Sequence, residues 1–240
     1  MFMSEEKIVC IVAGAGRGKR FGKKIPKGFF PIEGRELFVR SIESISKFPG
    51  ISEFIVLVPP GWEEEARKKI EQNLPGTKFR VMAGGDTRQQ SVALGLKEVD
   101  GADLVLVHDA CRPFVSGKLI DRVVEAAREY GAAVPVMEVT DTLARVKDKM
   151  LEGIVPRERV VSIQTPQAFG LDVLRSSYDT EEETIRVATD ESSLAQKAGY
   201  RVRAVEGELW NIKVTVEEDL EVANCFLTAD ILEMDPEEDR

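Results

Sequence analysis

The sequence predicts one α/β domain over residues 1–240, built on a doubly wound, mostly parallel sheet with a protruding β-hairpin arm. Short β-branched runs alternate with longer helical patterns, which is typical of βαβ units. The runs are nearly all apolar, as expected for parallel strands covered by helices on both faces. A chain of 240 residues with 43% hydrophobic content can bury one large core.

The alternation continues through the first 130 residues. Strands are predicted in the segments KIVCIV, EFIVLV, KFRVMA and DLVLVHD. Helices are predicted in RELFVRSIESIS, GWEEEARKKIEQ, TRQQSVALGLKEV and SGKLIDRVVEAAREY. Doubly wound sheets bind ligands beyond the carboxyl ends of their strands, so the loops after Val12, Met82 and Val107 should line one crevice.

The alternation of strands and helices stops after the apolar run at residues 133–137. Residues 138–161 carry alternating apolar positions and no helical pattern, which predicts the β-hairpin arm. An isolated hairpin cannot bury its own apolar face, so we expect a homodimer in which a second copy of the chain covers it. Helices resume near Leu171 and Asp190, RVRAV predicts a strand, and TVEEDLEVANCFL predicts a final helix.

Charge and cysteine content exclude several classes of protein. The formal charge of −9 argues against a general nucleic-acid binder, although basic residues are concentrated between Arg17 and Lys27. The first apolar run is shorter than the roughly 20 residues of a membrane span, so neither a targeting segment nor a membrane partner is expected. Three widely spaced cysteines suggest the reducing cytoplasm rather than a disulfide framework.

The loop at residues 13–27, AGAGRGKRFGKKIPK, contains the strongest functional signal. Small residues allow backbone amides to approach a nucleotide closely, and those predicted to do so are Ala13, Gly14, Ala15, Gly16 and Gly18. The spacing fits neither the GxxxxGK[ST] loop nor the GxGxxG dinucleotide fingerprint. We assign Arg20 and Lys27 to the charge that develops on a phosphoryl group, against the alternative of a flexible, solvated loop.

These residues carry a family resemblance. Ala15, Gly16, Gly18, Arg20, Pro26 and Lys27 match an AAGxGxR…PK signature, and the chain resembles the 2-C-methyl-D-erythritol 4-phosphate cytidylyltransferases of the non-mevalonate isoprenoid pathway. The resemblance implies a Rossmann-like nucleotidyltransferase fold that transfers CMP from CTP to that polyol phosphate, giving 4-diphosphocytidyl-2-C-methyl-D-erythritol and pyrophosphate. Gly14 stands where alanine is usual, and Gly28 where glutamine is common.

A second motif, GGDTRQQSVALGL, is similar to the family's GGxxRxxSVxxGL. The resemblance implies a pyrimidine pocket read by Gly84, Gly85, Asp86 and Ser91. From the residues alone, Asp86 or Thr87 is equally suited to cap the following helix. Arg88 is expected to brace the loop.

A third motif, HDACRPF, follows a buried strand and resembles the family's HDAxRP. The resemblance implies that Asp109 contacts the nucleotide and binds Mg²⁺, which needs only one or two carboxylates besides phosphate oxygens and waters. The single histidine, His108, is predicted to be structural. Arg112 suits a phosphate contact and a loop brace equally, and Cys111 stands where alanine is typical.

Motifs later in the chain complete the resemblance. It implies that Lys213 contacts the acceptor phosphate and that Arg157 and Thr142, on the arm, reach the active site of the neighbouring subunit. Thr165 and Thr189 are implied in substrate binding, although the residues alone also suit turns or caps. Trp210 and Arg159 depart from the family pattern, so their effect on polyol recognition stays open.

The sequence leaves two alternative functions. A cytidylyltransferase for another polyol phosphate, such as ribitol 5-phosphate, would use the same nucleotide loops, and a nucleotide-sensing subunit could keep the fold without catalysis. The preferred reaction needs no protein nucleophile or base, because a phosphate monoester with a second pKa near 6 is already ionised at neutral pH. It needs cations that align two anions, which the predicted site supplies.

Overall fold

The structure is a computed structural model that describes residues 6–16 and 25–228. Within these ranges the strands are β1 (Ile8–Ala13), β2 (Pro31–Ile32), β3 (Arg35–Glu36), β4 (Ile51–Val58), β5 (Phe79–Ala83), β6 (Leu104–Asp109), β7 (Ala132–Glu138), β8 (Leu143–Lys147), β9 (Met150–Val155), β10 (Val161–Ile163), β11 (Gln167–Gly170) and β12 (Arg203–Glu206). The α-helices are α1 (Leu37–Ser46), α2 (Glu63–Asn73), α3 (Arg88–Lys97), α4 (Gly117–Tyr130), α5 (Leu171–Tyr178), α6 (Glu182–Val187), α7 (Glu191–Lys197) and α8 (Glu218–Thr228).

The main sheet confirms the predicted fold class. Its strands lie in the order β10-β7-β11-β6-β1-β4-β5, and β12 pairs with β7. Strands β1, β4, β5 and β6 are parallel, as are β7 and β12, whereas β10 and β11 run antiparallel to their neighbours. The chain builds outward from β1 through β4 to β5 and then returns to place β6 on the other side of β1. A crevice therefore opens between β1 and β6, at the point where ligands bind in doubly wound sheets.

Helices cover both faces of the sheet. Cys10 and Val12 of β1 pack with residues of α1, α2 and α4, while Val9 and Ile11 pack on the opposite face with α3, α5 and α7. Successive strand residues point to opposite faces, so burial on both sides requires an unbroken apolar run. This explains why β1 contains only apolar residues.

Strands β8 and β9 form an antiparallel hairpin inside the range predicted for the arm. Asp148 and Lys149 connect them with φ of 49° and 65°, the left-handed pair that a tight hairpin turn with the right twist requires. Its largest exposed apolar side chains are Val146 (62%), Met150 (72%), Leu151 (73%) and Ile154 (65%). The hairpin leaves these side chains uncovered within the single chain.

Five short elements, β2, β3, β10, β11 and α6, were not predicted. Strand β11 inserts between β6 and β7, with Gln167 opposite Val107. Its four residues follow Pro166 and are too few to show a period. The predicted strand RVRAV appears as β12, and the final helix starts at Glu218. In its first turn, the carboxylate of Asp219 accepts the N–H groups of Thr215 and Val216 and so ties the preceding segment to the helix.

The helices and the cysteines bear on the expected environment of the chain. Within the described ranges, no helix combines the length and the apolar character needed to cross a bilayer. All three cysteines are free thiols, with Cys10 and Cys111 buried and Cys225 exposed. No two of them are joined in a disulfide.

Candidate active site

The loops after β1, β5 and β6 meet at the carboxyl edge of the sheet, as the sequence predicts. They line two adjoining pockets. The first is lined by Ala15, Gly16, Pro60, Gly84, Gly85, Asp86, Thr87 and Arg88. The second is lined by Ala13, Gly14, Ala15, Gly16, Lys27, Gly28, Arg88, Ser91, Asp109, Cys111 and Lys213. Most of the nucleotide residues predicted from sequence therefore share one crevice, while Gly18 and Arg20 lie outside the described residues.

Two glycines are needed where backbones approach closely. The Gly14 N–H donates to the Leu57 carbonyl at 2.8 Å, and a Cβ at Gly14 would lie 2.8 Å from the same oxygen. At Gly84, a Cβ would lie 2.2 Å from the Ala15 Cβ and 2.6 Å from the Ser91 Oγ. A side chain at either position would force the backbones apart, so glycine allows the loops after β1 and β5 to pack this closely.

The loop after β5 is fixed by its own hydrogen bonds. Thr87 caps α3 in a capping box with Gln90, which decides the open alternative in favour of Thr87 over Asp86. The Ser91 Oγ accepts from the Gly85 N–H at 3.0 Å and donates to the Thr87 carbonyl at 2.8 Å. Asp86 is exposed on the rim of the first pocket, so its carboxylate is accessible to a ligand there.

Asp109, at the end of β6, is surrounded by cations. Its Oδ1 accepts from Arg88 Nε at 2.8 Å, and its Oδ2 lies 2.6 Å from Lys213 Nζ and 3.8 Å from Arg112 Nε. Burial by itself would raise the pKa of this carboxyl, but Arg88 and Lys213 lower it well below its usual range. Asp109 is therefore an anion at neutral pH, in a pocket whose other charged groups are positive.

Lys27 lies in the same pocket. Its Nζ donates to the Val214 carbonyl at 2.8 Å, and the Val214 N–H donates to the Cys111 carbonyl at 2.9 Å. Residues 213–214 thus bring the two lysines together, because Lys213 precedes Val214 and Val214 accepts the hydrogen bond of Lys27. Burial raises the pKa of the Cys111 thiol, so this pocket residue stays protonated and is not a nucleophile.

Arg112 serves as a brace. It is buried, its Nη1 donates to the Asn211 carbonyl at 2.6 Å, and Asn211 in turn donates through Nδ2 to the Thr165 carbonyl at 2.9 Å. These bonds fix the loop that carries Lys213. Between the two roles left open by the sequence, the geometry favours the loop brace over a phosphate contact.

The single histidine, His108, is buried, which is consistent with the structural role expected for it. His108 Nε2 lies 2.9 Å from the Arg112 carbonyl, which can only accept, so Nε2 carries the proton and Nδ1 accepts from the Thr165 hydroxyl at 3.2 Å. The Thr165 Oγ1 then accepts from the Asp109 N–H at 3.0 Å. His108 and Thr165 together fix the backbone beneath the Asp109 carboxylate.

This arrangement predicts a pH dependence of stability. Burial lowers the pKa of His108 from 6.5 to about 4. Between pH 6.5 and pH 4, therefore, this residue binds a proton in the unfolded chain but not in the folded chain. Stability from this residue is complete above pH 6.5 and declines as the pH falls towards 4. We expect urea unfolding to show a loss of about 2 kcal/mol between pH 7 and pH 5.

The matched control is His108→Gln, which keeps a donor for Arg112 and removes the titrating group. The variant should be less stable at pH 7 but should vary less with pH between 7 and 5 than the wild type. Parallel curves for the two proteins would contradict the assignment of a neutral, buried imidazole.

The residues predicted on the arm do not line either pocket of their own chain. Thr142, Arg157 and Thr189 are exposed, as is Arg159, and the Arg157 guanidinium donates to the Thr140 carbonyl. Thr165 is buried beside Asp109. Within one chain, therefore, Arg157 is not brought together with Lys27 and Lys213.

Sequence reasoning missed two residues near Asp109. Glu191 accepts from Arg88 Nη1 at 2.8 Å and 2.9 Å, and the Tyr178 hydroxyl donates to Glu191 at 3.0 Å. Glu191 lies two residues after Thr189, but it was not assigned to the site from the sequence. Tyr178 shows no sequence signal, because its contact joins residues from different helices.

Comparisons with known proteins agree with this geometry. Residues 8–229 match the family model for 2-C-methyl-D-erythritol 4-phosphate cytidylyltransferase. The chain is 38% identical over 224 residues to the protein of that name from Alkaliphilus metalliredigens, covering 92% of this chain and 93% of the relative. It is 37% identical over 221 residues to the one from Thermotoga neapolitana, covering 91% and 96%.

Solved structures show the same similarity. The crystal structure of 2-C-methyl-D-erythritol 4-phosphate cytidylyltransferase from Thermus thermophilus matches with a TM-score of 0.75 and 35% identity, covering 95% of this chain and 100% of the other. The 4-diphosphocytidyl-2C-methyl-D-erythritol synthase from Anaerococcus prevotii matches with a TM-score of 0.80 and 29% identity, covering 93% and 97%. The shared fold extends over nearly the whole chain.

Proposed function

The chain belongs to the 2-C-methyl-D-erythritol 4-phosphate cytidylyltransferase family, and we propose on that premise that it transfers CMP from CTP to 2-C-methyl-D-erythritol 4-phosphate. The observation that supports this most directly is a single pocket lined by Lys27, Lys213 and Arg88 together with the ionised Asp109, which pairs with Arg88 and Lys213, beside a glycine-lined pocket. Such a site suits a reaction that must bring two anions together.

In this reaction an oxygen of the acceptor phosphate attacks the α-phosphorus of CTP. The new P–O bond forms as the bond from the α-phosphorus to the bridging oxygen breaks, and pyrophosphate leaves with the electron pair. The acceptor phosphate is already ionised at neutral pH, so no general base is needed. This agrees with the buried, neutral His108 and with the protonated Cys111 thiol.

Lys27 and Lys213 have different proposed tasks. Lys27, which lines the second pocket, stabilises the charge that develops on the α-phosphoryl group, together with Arg20. Lys213 holds the acceptor phosphate. Its Nζ pairs with the Asp109 Oδ2 in the structure, and its side chain is 38% exposed, so it remains accessible to a ligand.

Asp109 is the proposed ligand of Mg²⁺. The described residues contain no group of three metal-ligating side chains, but Mg²⁺ commonly uses one or two carboxylates with substrate phosphates and water. An ionised Asp109 in the phosphate pocket fits that requirement. The metal, when bound, would neutralise charge on the triphosphate.

The first pocket is proposed to bind cytosine. Gly84 and Gly85 allow the loop after β5 to pack closely on its neighbours. Asp86 offers an acceptor to an exocyclic amine, and Ser91 fixes the loop. A base with an exocyclic amine, such as cytosine, would find an acceptor at this pocket.

We propose that the active protein is a homodimer in which each arm completes the active site of the other subunit. Support comes from the uncovered apolar side chains of the β8–β9 hairpin and from the exposure of Thr142 and Arg157. Arg157 of the partner subunit would position the acceptor phosphate opposite Lys213. Thr189 remains a proposed contact to the acceptor, whereas the inward-facing hydroxyl of Thr165 favours a role in supporting Asp109 over a contact to substrate. The free cysteines suit the cytoplasm expected from the sequence.

The test is a pyrophosphate-release assay with Mg²⁺, using CTP, UTP, ATP and GTP and a panel of polyol phosphates. We expect kcat/KM to be highest for CTP with 2-C-methyl-D-erythritol 4-phosphate. A higher value with ribitol 5-phosphate would assign the enzyme to another polyol. Tight CTP binding without pyrophosphate release from any acceptor would favour a nucleotide-sensing protein.

A further inference from the structure

Arg88 bridges two buried carboxylates at the edge of the second pocket. Its Nε donates to the Asp109 Oδ1 at 2.8 Å, and its Nη1 donates to both oxygens of Glu191 at 2.8 Å and 2.9 Å. The Tyr178 hydroxyl donates to the Glu191 Oε1 at 3.0 Å. A continuous chain of hydrogen bonds thus leads from Tyr178 through Glu191 and Arg88 to Asp109.

Stability alone gives little reason to bury Glu191. Its side chain is 0% exposed, and desolvating a carboxylate offsets much of what its ion pair contributes. Replacing a buried ion pair by apolar residues is often neutral or stabilising. The ion pair between Glu191 and Arg88 therefore matters more for the orientation of the Arg88 guanidinium than for the stability of the fold.

The planar guanidinium has a fixed fork of donors, so two anchors determine its orientation. With Glu191 on Nη1, only Nε reaches Asp109, and it reaches Oδ1 alone. Oδ2 pairs at 2.6 Å with Lys213, which lines the pocket, and lies 3.8 Å from Arg112 Nε. Without the charge of Glu191, the Arg88 guanidinium would be free to rotate and to form bidentate hydrogen bonds with both oxygens of Asp109, as is common for arginine and carboxylates.

We propose that Glu191 is a positioning residue for the reaction: it holds Arg88 so that one oxygen of Asp109 stays accessible to a cation from the pocket. Tyr178 supports Glu191 through its hydroxyl. The inference rests on the proposed function, in which Asp109 holds the metal that accompanies CTP.

The experiment measures how strongly Mg²⁺ improves CTP binding. Calorimetric titration of the full-length protein with CTP, without acceptor, gives a Kd in excess Mg²⁺ and a Kd in EDTA. The ratio of the two reports the contribution of the metal and cancels a general loss of nucleotide affinity. In Glu191→Gln we expect the ratio to fall about tenfold or more, the usual scale for residues that orient metal ligands.

Glu53→Gln is the matched control. Glu53 is buried and accepts from Arg80 at 3.0 Å and 3.1 Å. It lies near the start of β4, at the amino ends of the parallel strands, whereas the pockets lie at their carboxyl ends. Its loss should lower the melting temperature while leaving the ratio unchanged. Tyr178→Phe should lower the ratio about threefold, the scale of one hydrogen bond, and should add nothing in the Glu191→Gln background.

A folded Glu191→Gln protein whose ratio stays within about twofold of the wild type, well short of the expected change, would overturn the inference, and so would an equal loss in Glu53→Gln. If Glu191→Gln does not fold, Tyr178→Phe decides: an unchanged ratio in that variant overturns the inference. A wild-type ratio near one would count against the proposed metal site itself, so the two failures are distinguishable.

Discussion

Lys27→Ala should lower kcat by roughly 10²- to 10³-fold, the scale seen when one group that stabilises transition-state charge is removed. Lys27 lies in the pocket with Asp109 and Lys213, and its Nζ is held by the Val214 carbonyl. A fixed ammonium group needs no reorganisation as charge builds on the α-phosphoryl group. Because that charge is greatest in the transition state, kcat should fall more than the affinity for CTP.

Steady-state kinetics with both substrates saturating, together with a melting curve, provide the measurement. Lys68→Ala is a suitable control, because Lys68 is an exposed lysine of α2 and lies outside both pockets. Its kcat should equal that of the wild type. A folded Lys27→Ala enzyme with unchanged kcat would remove Lys27 from the mechanism.

The second large effect is expected when two inactive variants are combined. Arg157→Ala and Lys27→Ala homodimers should each be nearly inactive, because every site lacks one cation. A heterodimer would contain one site with both defects and one with neither. Purified heterodimers should therefore recover roughly half of the wild-type activity, since one of two equivalent sites is intact.

This expectation depends on the position of the arm. In a single chain Arg157 is exposed and outside the pockets that contain Lys27. Differently tagged subunits allow the heterodimer to be isolated, and remixed homodimers of each variant serve as controls. Heterodimers that form but remain as inactive as their parents would show that the sites are not shared.

The sequence predicted the part of the fold that depends on local pattern. Strands β1, β4, β5 and β6 are largely apolar runs between helical segments, and their carboxyl ends brought the expected loops together. The rule holds best for β1, β4 and β6, because burial on both faces favours apolar residues at successive positions of a strand. The hairpin of β8 and β9 falls within the range predicted for the arm for a related reason, since its alternating positions have no helical period.

What the sequence did not predict depends on distant contacts. Strand β11 owes its existence to pairing with β6 and β7, rather than to its own four residues. Glu191 and Tyr178 meet Arg88 only because α7, α5 and α3 pack on the same face of the sheet. Such contacts join residues far apart in the chain, and no spacing within a motif encodes them.

The predicted site residues divide in the same way. One pocket contains Asp109, Lys27 and Lys213. Asp109 ends β6, and Lys213 pairs with it. Lys27 bonds with Val214, the residue after Lys213. The hydroxyl of Thr165 faces inward, where it bonds with His108 and the Asp109 backbone. A motif identifies the residue type at a position, but the direction of its side chain follows from the packing around it.

The most direct test of the reaction uses CTP labelled with ³²P at the α-position, with Mg²⁺ and 2-C-methyl-D-erythritol 4-phosphate. The cationic site should direct the acceptor phosphate to the labelled phosphorus, so the label should appear in a CDP-linked polyol while the released pyrophosphate stays unlabelled. Label found only in CMP, in CDP or in unchanged CTP, with folded and dimeric protein, would contradict this account of the site.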